Sequence, residues 1–473
     1  MLYKTCTNIE RLELDGLRPL LEQFEEWGGW PLLTNDWNPH DLNWQELLVY
    51  LSLNLDYSPL ISTSVNVDRK NSNVHVITID QPTLSLSRSM LVAPELYPVQ
   101  ISALKKWILD MAAIMGQQQT IDRELLMQIP IEVERMVNFE INLAKLTSPI
   151  ELRRNGERIY NNMTIEDLQE WTDSASETEE SMIDWLSLLK MLFQDTDIEI
   201  ELTERVIVRE IDYLFNLVRL MESTNAKTIV NFLFMRWLRV ISTEMTIDMR
   251  RATFLFEQVF TGAQEEQIRW RDCIVTANQA MPMAMGYIYV QQYFDDEAKQ
   301  SALEILKNIQ TTYIEQLSYV SWMDNRTKMA AQDKLNAMSP AIGYPDWYHN
   351  ITALETYYKN VNGLLTLGEN MADNGGLQQA YLAYKKSLEN GNLDFKLPGF
   401  ENYTSDQLFF MGFALNWCEA SSKESLLQEV LSDPHAPHRF RVLGSVANSH
   451  QFATAFNCSP GSPMNPEQKC SFW

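Results

Sequence analysis

The decapeptide 367-LGENMADNGG-376 places two carboxylates, Glu369 and Asp373, four residues apart. At 3.6 residues per turn such a pair shares one face of a helix. One carboxylate can then ligate a metal while the other supports a ligand from behind. Two solvated carboxylates at a helix start, where the dipole favours them, need no metal at all. The choice depends on whether the other ligands exist elsewhere in the chain.

A catalytic zinc takes about three protein ligands and keeps an open position for water. Its helical form is H-E-x-x-H, with two imidazoles on one face and a general base between them. The six histidines are His40, His75, His349, His435, His438 and His450, and none opens that motif. His435 and His438 are three residues apart, but Pro434 and Pro437 disfavour a regular helix there. A site built from that pair with Glu369 is the metal alternative these residues leave open. There is no G-x-S-x-G elbow, no G-x-x-x-x-G-K-[ST] phosphate loop and no C-x-x-C pair. The aromatic run 409-FFMGFALNW-417 reads as core rather than a ligand box.

The bulk properties narrow the class. A chain of 473 residues accommodates two or three domains. Its hydrophobic fraction of 45% and charged fraction of 21% are those of a globular protein, and low glycine with abundant Leu, Glu and Met leans to helix. The formal charge of −25 repels phosphate backbones and anionic lipid, which argues against nucleic-acid binding. No apolar run reaches membrane-spanning length: 228-TIVNFLFMRWLRVIST-243 is interrupted by Arg236 and Arg239 and reads as a buried or amphipathic helix. The opening MLYKTCTNIERLELDG lacks the apolar stretch of a signal peptide. Against this, N-x-[ST] sequons at Asn162, Asn325, Asn350, Asn402 and Asn457 are glycosylation candidates of an exported protein. The cysteines Cys6, Cys273, Cys418, Cys458 and Cys470 are odd in number, so at least one lacks an intrachain partner.

Along the chain, residues 9–55 read as helices broken by Gly28-Gly29 and by the Pro31–Pro39 region. Strand-like alternation follows in 74-VHVITIDQP-82. Helical periodicity runs from Pro98 to Leu146, with Pro130 placed to kink or split it. It continues from Leu202 through Met338, where 322-WMDNRTKMAAQDKLNAM-338 predicts a helix capped near Asp324. The turn in 342-IGYPDWYHN-350 predicts a domain boundary. Beyond it come a short helix at 377–390, an apolar helix in 405–418, and a turn-rich tail over 432–473.

Taken with its neighbours, the opening decapeptide resembles the neprilysin and endothelin-converting-enzyme family of zinc metallopeptidases. The likeness runs in order through 3-YKTCT-7, 28-GGWP-31, 74-VHVITIDQP-82, 270-WRDC-273, 322-WMD-324 and 342-IGYPD-346. It continues in 361-VNGLLTLGENMADNGGLQQAY-381, 397-LPGF-400, 407-QLFF-410, 417-WC-418, 433-DPHAPHRFRVLG-444 and 464-MNPEQKCSFW-473. It implies a mainly α, two-domain architecture. Residues 1–345 would be a large helical N-terminal domain lacking its first segment, and residues 346–473 the remnant of a thermolysin-like zinc-peptidase domain. It further implies an extracellular or plasma-membrane-anchored setting and oligopeptide substrates cut before bulky hydrophobic residues. By position in the family's E-N-x-A-D motif, Glu369 resembles the third zinc ligand and Asp373 the carboxylate that orients a zinc-bound histidine. His435 resembles the histidine that stabilises the tetrahedral oxyanion, and Arg441 the arginine that binds a substrate carbonyl. Fixed donors aimed at developing charge are what acyl chemistry needs.

The chain also departs from the family. H-E-x-x-H and a substrate-gripping N-A-F-Y strand should lie between the I-G-Y-P-D turn and E-N-x-A-D, yet Pro345 and Glu369 are separated by 23 residues carrying neither. By the resemblance Cys6 and Cys273 pair with each other. Cys418 and Cys458 match cysteines whose partners lie in an absent N-terminal portion, and Cys470 one whose partner falls in the absent interval. The expectation is therefore a member that binds no catalytic zinc and hydrolyses no peptide, with His435 and Arg441 left either to bind oligopeptides or to serve as structural polar contacts. The alternative is an incomplete sequence of an active membrane-anchored or secreted zinc endopeptidase.

Overall fold

In the stretch 18-RPLLEQFEEWGGWP-31, local sequence sets local structure. Pro19 occupies the first turn of the helix Arg18–Glu26, where a missing N–H costs nothing, and Leu20 and Phe24 share its buried face. Gly28 and Gly29 end it with φ of +77° and +79°, and a Cβ on Gly29 would meet Thr34 Oγ1 at 2.5 Å. The computed structural model describes residues 2–338 apart from 179, 180 and 295, then 340, 342–344, 348, 377, 380–386, 388, 397–418 and 438–469.

The chain divides into two compact units, one running Met1–Ile268 and the other taking up from Arg269. The first is mainly helical, with a four-stranded mixed sheet in the order β1-β2-β4-β3. Strands β1 (Ser62–Asp68) and β2 (Asn71–Asp80) form an antiparallel hairpin. Strand β4 (Arg205–Val208) pairs parallel to β2, with Ile77 opposite Val206 and Ile79 opposite Val208. The edge strand β3 (Asn161–Thr164) pairs antiparallel to β4. The region after Leu202 is thus not helical from its start: a strand comes first, and helix resumes at Ile211–Glu222. The four residues Arg205–Val208 find their partner more than a hundred residues upstream, which no local periodicity reveals.

Two long helices form the centre of this unit. Arg123–Leu146 is one continuous helix with Pro130 inside it, so the expected split does not occur. Pro130 lies on the exposed side, where solvent can take the carbonyl that its missing N–H leaves unpaired. Ala226–Ile241 is buried through most of its length, as the sequence predicts. It carries Arg236, fully buried, against Glu140, also fully buried, with Nη1 donating to Oε1 at 2.5 Å. Arg236 also donates to Ser85 Oγ (2.8 Å), the Thr83 carbonyl (2.7 Å) and the Tyr57 hydroxyl, and Glu140 accepts from the Ser85 N–H (2.6 Å). This charge pair fastens the loop that leaves β2 to both helices.

A second ionic cluster holds the hairpin turn. Asp68 accepts from the Tyr160 hydroxyl (2.9 Å), the Lys70 N–H (2.9 Å) and the Arg205 guanidinium. The Arg205 hydrogen bond, ahead of the Lys70 N–H, holds its carboxyl down at about 2. A free aspartate titrates near about 4, so this contribution is complete above that pH and is lost as pH falls towards about 2. In acid titrations followed by circular dichroism, the stability advantage over Asp68→Asn should be constant above about pH 5 and shrink steadily below about pH 4. An advantage unchanged down to pH 2 would show that the ionised carboxylate is not what anchors the turn.

In the second unit, helices span Arg269–Ala280, Pro282–Tyr293, Asp296–Tyr319 and Asn325–Asn336. The last is capped by Asp324, whose side chain accepts from the Thr327 N–H at 2.9 Å, as predicted. Among the described residues, buried apolar side chains here gather as Leu377, Tyr381, Phe410 and Val446, and as Val290, Tyr344 and Tyr348. The tail is less turn-rich than expected, because His438–Asn448 and His450–Ala455 are helices. Polar residues and Gly444 hide a buried face made by Arg441, Ser445 and Val446.

Candidate functional site

Of the four residues that the sequence assigns to a catalytic centre, Arg441 lies within the described residues. Glu369, Asp373 and His435 lie outside them, as do Asn350 and Cys470. Among the described residues, no three His, Cys, Asp or Glu side chains form a group able to hold a metal ion.

Arg441 is positioned from two directions. The helix Ser405–Leu415 starts in a capping box, Thr404 with Gln407, and Gln407 Nε2 donates to the Ala455 carbonyl at 3.0 Å. Phe410 packs edge-on against Phe452, with ring centroids 5.4 Å apart, so this helix and His450–Ala455 are tied at both polar and apolar points. Just beyond Leu415 comes Trp417. The guanidinium carbon of Arg441 stands 3.8 Å from the Trp417 ring centroid, and Arg441 is only 6% exposed. The His438 ring, one turn before Arg441, lies 5.3 Å from the same indole, and Phe413 lies 6.5 Å away.

This stacking has a chemical consequence. A guanidinium lying on an aromatic face keeps its charge, and its N–H donors remain in its own plane. Trp417 Nε1 and Ser445 Oγ are both buried and, among the described residues, have no hydrogen-bond partner. Nearby, Tyr381 stacks on Phe410, and burial, followed by the Asp406 carboxylate, pushes its phenol up to about 12. It is a neutral hydroxyl at physiological pH. The residue that sequence reasoning missed is Trp417. It was absorbed into an aromatic run that reads as core, and its partner Arg441 lies 24 positions further on, beyond any local pattern.

The other assigned residues are partly placed. Cys6 and Cys273 are both disulfide-bonded, and Cys418 and Cys458 are free thiols. Asn162, Asn325, Asn402 and Asn457 are all exposed. No described helix is long and apolar enough to cross a membrane.

Known proteins resemble the chain along its whole length. Neprilysin-11 of Caenorhabditis elegans is 25% identical over 616 aligned positions, covering 100% of this chain and 71% of its own length. Mouse endothelin-converting enzyme 1 is 27% identical over 611 positions, covering 100% of this chain and 77% of its own. An alignment of 616 positions against a chain of 473 residues leaves at least 143 positions without a counterpart here. The zinc metalloprotease Zmp1 of Mycobacterium tuberculosis superposes with a TM-score of 0.76 at 19% identity, covering 100% of this chain and 88% of that one. PepO from Lactobacillus rhamnosis superposes at 0.69 and 15% identity, covering 98% and 88%. These likenesses carry the mainly helical, two-domain fold. Sequence profiles described as Peptidase family M13 match residues 1–345 and residues 304–472, and the chain accordingly belongs to Peptidase family M13.

Proposed function

We propose that this chain, as it stands, is a non-hydrolytic member of the M13 metallopeptidases that retains a peptide-binding arginine without the zinc half of the centre. The observation that carries this reading is the donor set. Neither H-E-x-x-H nor any other pair of histidines at i, i+4 occurs anywhere in the sequence, and Glu369 is left as the lone assigned ligand. The family's zinc would polarise the scissile carbonyl and activate water. Several protein donors together contribute about 10–16 kcal/mol to a structural zinc site at neutral pH, and a single carboxylate supplies a small part of that. These residues do not fit a catalytic zinc, so no hydrolytic step is assigned to them. The unmatched alignment positions support an internal loss, as does the short interval from Pro345 to Glu369.

What remains is Arg441, stacked on Trp417, as the donor for a peptide carbonyl, with His435 and Asp373 kept in sequence but without the chemistry they served. Zinc titration calorimetry, combined with a fluorogenic oligopeptide assay with and without a chelator, tests this. The expected result is no tight saturable zinc site and no chelator-sensitive turnover. A single tight site abolished in Glu369→Gln, together with cleavage that stops on chelation, would overturn it.

A second reading is supported by the cysteines. Free thiols at Cys418 and Cys458 in a chain that also carries a disulfide are what an active peptidase would show if an internal segment and cysteine partners were missing from the sequence given. An in-frame exon encoding H-E-x-x-H in the genomic interval before the Val361 codon would decide for it.

A further inference from the structure

Within the Met1–Ile268 unit lies a cavity of about 710 Å³, the size of pockets that hold drug-sized ligands. Its walls come from the loop after β2, the segment after the helix Arg123–Leu146, and the helices Ala226–Ile241 and Ile247–Thr261. No residue of the Arg441 face belongs to it.

Two guanidinium groups in this cavity are oddly served. Arg88 donates from Nε to the Thr147 carbonyl (3.0 Å) and to Thr147 Oγ1 (3.2 Å), and Thr147 is itself buried. The side chain is thereby aimed, yet among the described residues it has no carboxylate partner. Arg239 lies between two aromatic rings, its guanidinium carbon 5.3 Å from the Trp107 centroid and 4.6 Å from that of Phe256. Its Nη1 is buried and, among the described residues, has no hydrogen-bond partner, the nearest carboxylate oxygen, on Glu257, being 3.8 Å away. Burial lowers the pKa of Arg239, opposed by Glu257. A buried guanidinium with unmet donors is costly, and a ligand that satisfies those donors recovers that cost.

The remaining charges do not fill this need. Arg153 spends both ends on Asp80, at 2.6 and 2.8 Å, and Glu151 is exposed at the margin. The floor is rigid: Gln81 and Ser148 exchange two hydrogen bonds of 2.7 and 3.2 Å. The apolar part of the wall is Leu84, Leu86, Ile150, Phe256 and Phe260, beside the hydroxyls of Ser85, Ser87 and Ser89.

From Arg88 and Arg239 set over this apolar wall, we infer that the cavity is a binding site for an amphipathic carboxylate, an anionic head carried on an aryl or branched-alkyl body. A guanidinium fork matches a carboxylate in two parallel hydrogen bonds, and the apolar wall takes the body. The chemistry is shared by a free organic acid and by the C-terminus of a short peptide ending in a hydrophobic residue. The site is independent of the Arg441 reading and stands or falls apart from it.

The test is calorimetric titration of the full chain with 4-phenylbutanoate and with N-acetyl-Leu-Phe, each against its neutral amide. Saturable 1:1 binding of either acid is expected, with the amide at least about tenfold weaker, since a charged hydrogen bond is lost. The acid that binds more tightly identifies the source. Arg88→Gln, at a part-exposed position, should weaken binding about tenfold or more while the chain still melts in a cooperative transition. Arg239→Lys, which keeps the charge but loses the fork, should weaken it too, and Arg441→Met should not. Failure of both acids to bind, equal binding of acid and amide, or full affinity in both Arg88→Gln and Arg239→Lys would each overturn the assignment.

Discussion

Arg236→Met is expected to destabilise the first unit by about 3–5 kcal/mol, read as a lower denaturant midpoint at unchanged slope. The reason lies in what the substitution leaves behind. Glu140 is fully buried, and its Oε2 already lacks a partner, so its charge is held by Arg236 and the Ser85 N–H. Removing the guanidinium strands that charge and also frees the Thr83 carbonyl and Ser85 hydroxyl. The double variant Arg236→Met with Glu140→Leu should recover most of the loss, because two well-packed apolar side chains are close to neutral relative to a buried pair. If the double variant were as unstable as the single, the pair would be contributing through loop geometry rather than charge compensation.

Trp237→Ala, one residue along, should cost a similar amount, about 3–5 kcal/mol, for a different reason and without any rescue partner. Trp237 is 1% exposed and sits among Phe24 (ring centroids 4.8 Å apart), Tyr50 (5.0 Å) and Phe234 (5.9 Å), which come from three helices. Truncation leaves a void that no neighbour can fill without leaving its rotamer. Trp237→Phe should restore more than half of the lost stability by refilling part of the volume. An alanine variant as stable as the parent in chemical denaturation would mean that this aromatic cluster is not the core it resembles.

The elements that sequence reading recovers are those whose causes are local. The Asp324 cap, the Gly28-Gly29 break and the buried stretch Thr228–Leu238 each depend on residues within a few positions of one another. Strand β4 is different: Arg205–Val208 is a strand because Val206 and Val208 pair with Ile77 and Ile79, and a four-residue apolar run alone is ambiguous. The tail helices were hidden for another reason. Ser449 caps His450–Ala455 by accepting from the Phe452 N–H, but in a stretch dense in Ser, Asn and His that signal is lost among turn formers. At the site, motif residues identify the family, while the indole beneath Arg441 comes from a separate segment just past the helix Ser405–Leu415. Arg88 and Arg239 carry no motif at all. They become a pair only when the loop after β2 folds back on Ala226–Ile241.

The packing of Phe410 on Phe452 has a reach beyond its own rings. Phe410 stands on the helix that leads into Trp417, and Phe452 on the helix that follows the one bearing Arg441. A change of volume at either ring would slide the indole against the guanidinium, altering a contact that neither phenylalanine makes.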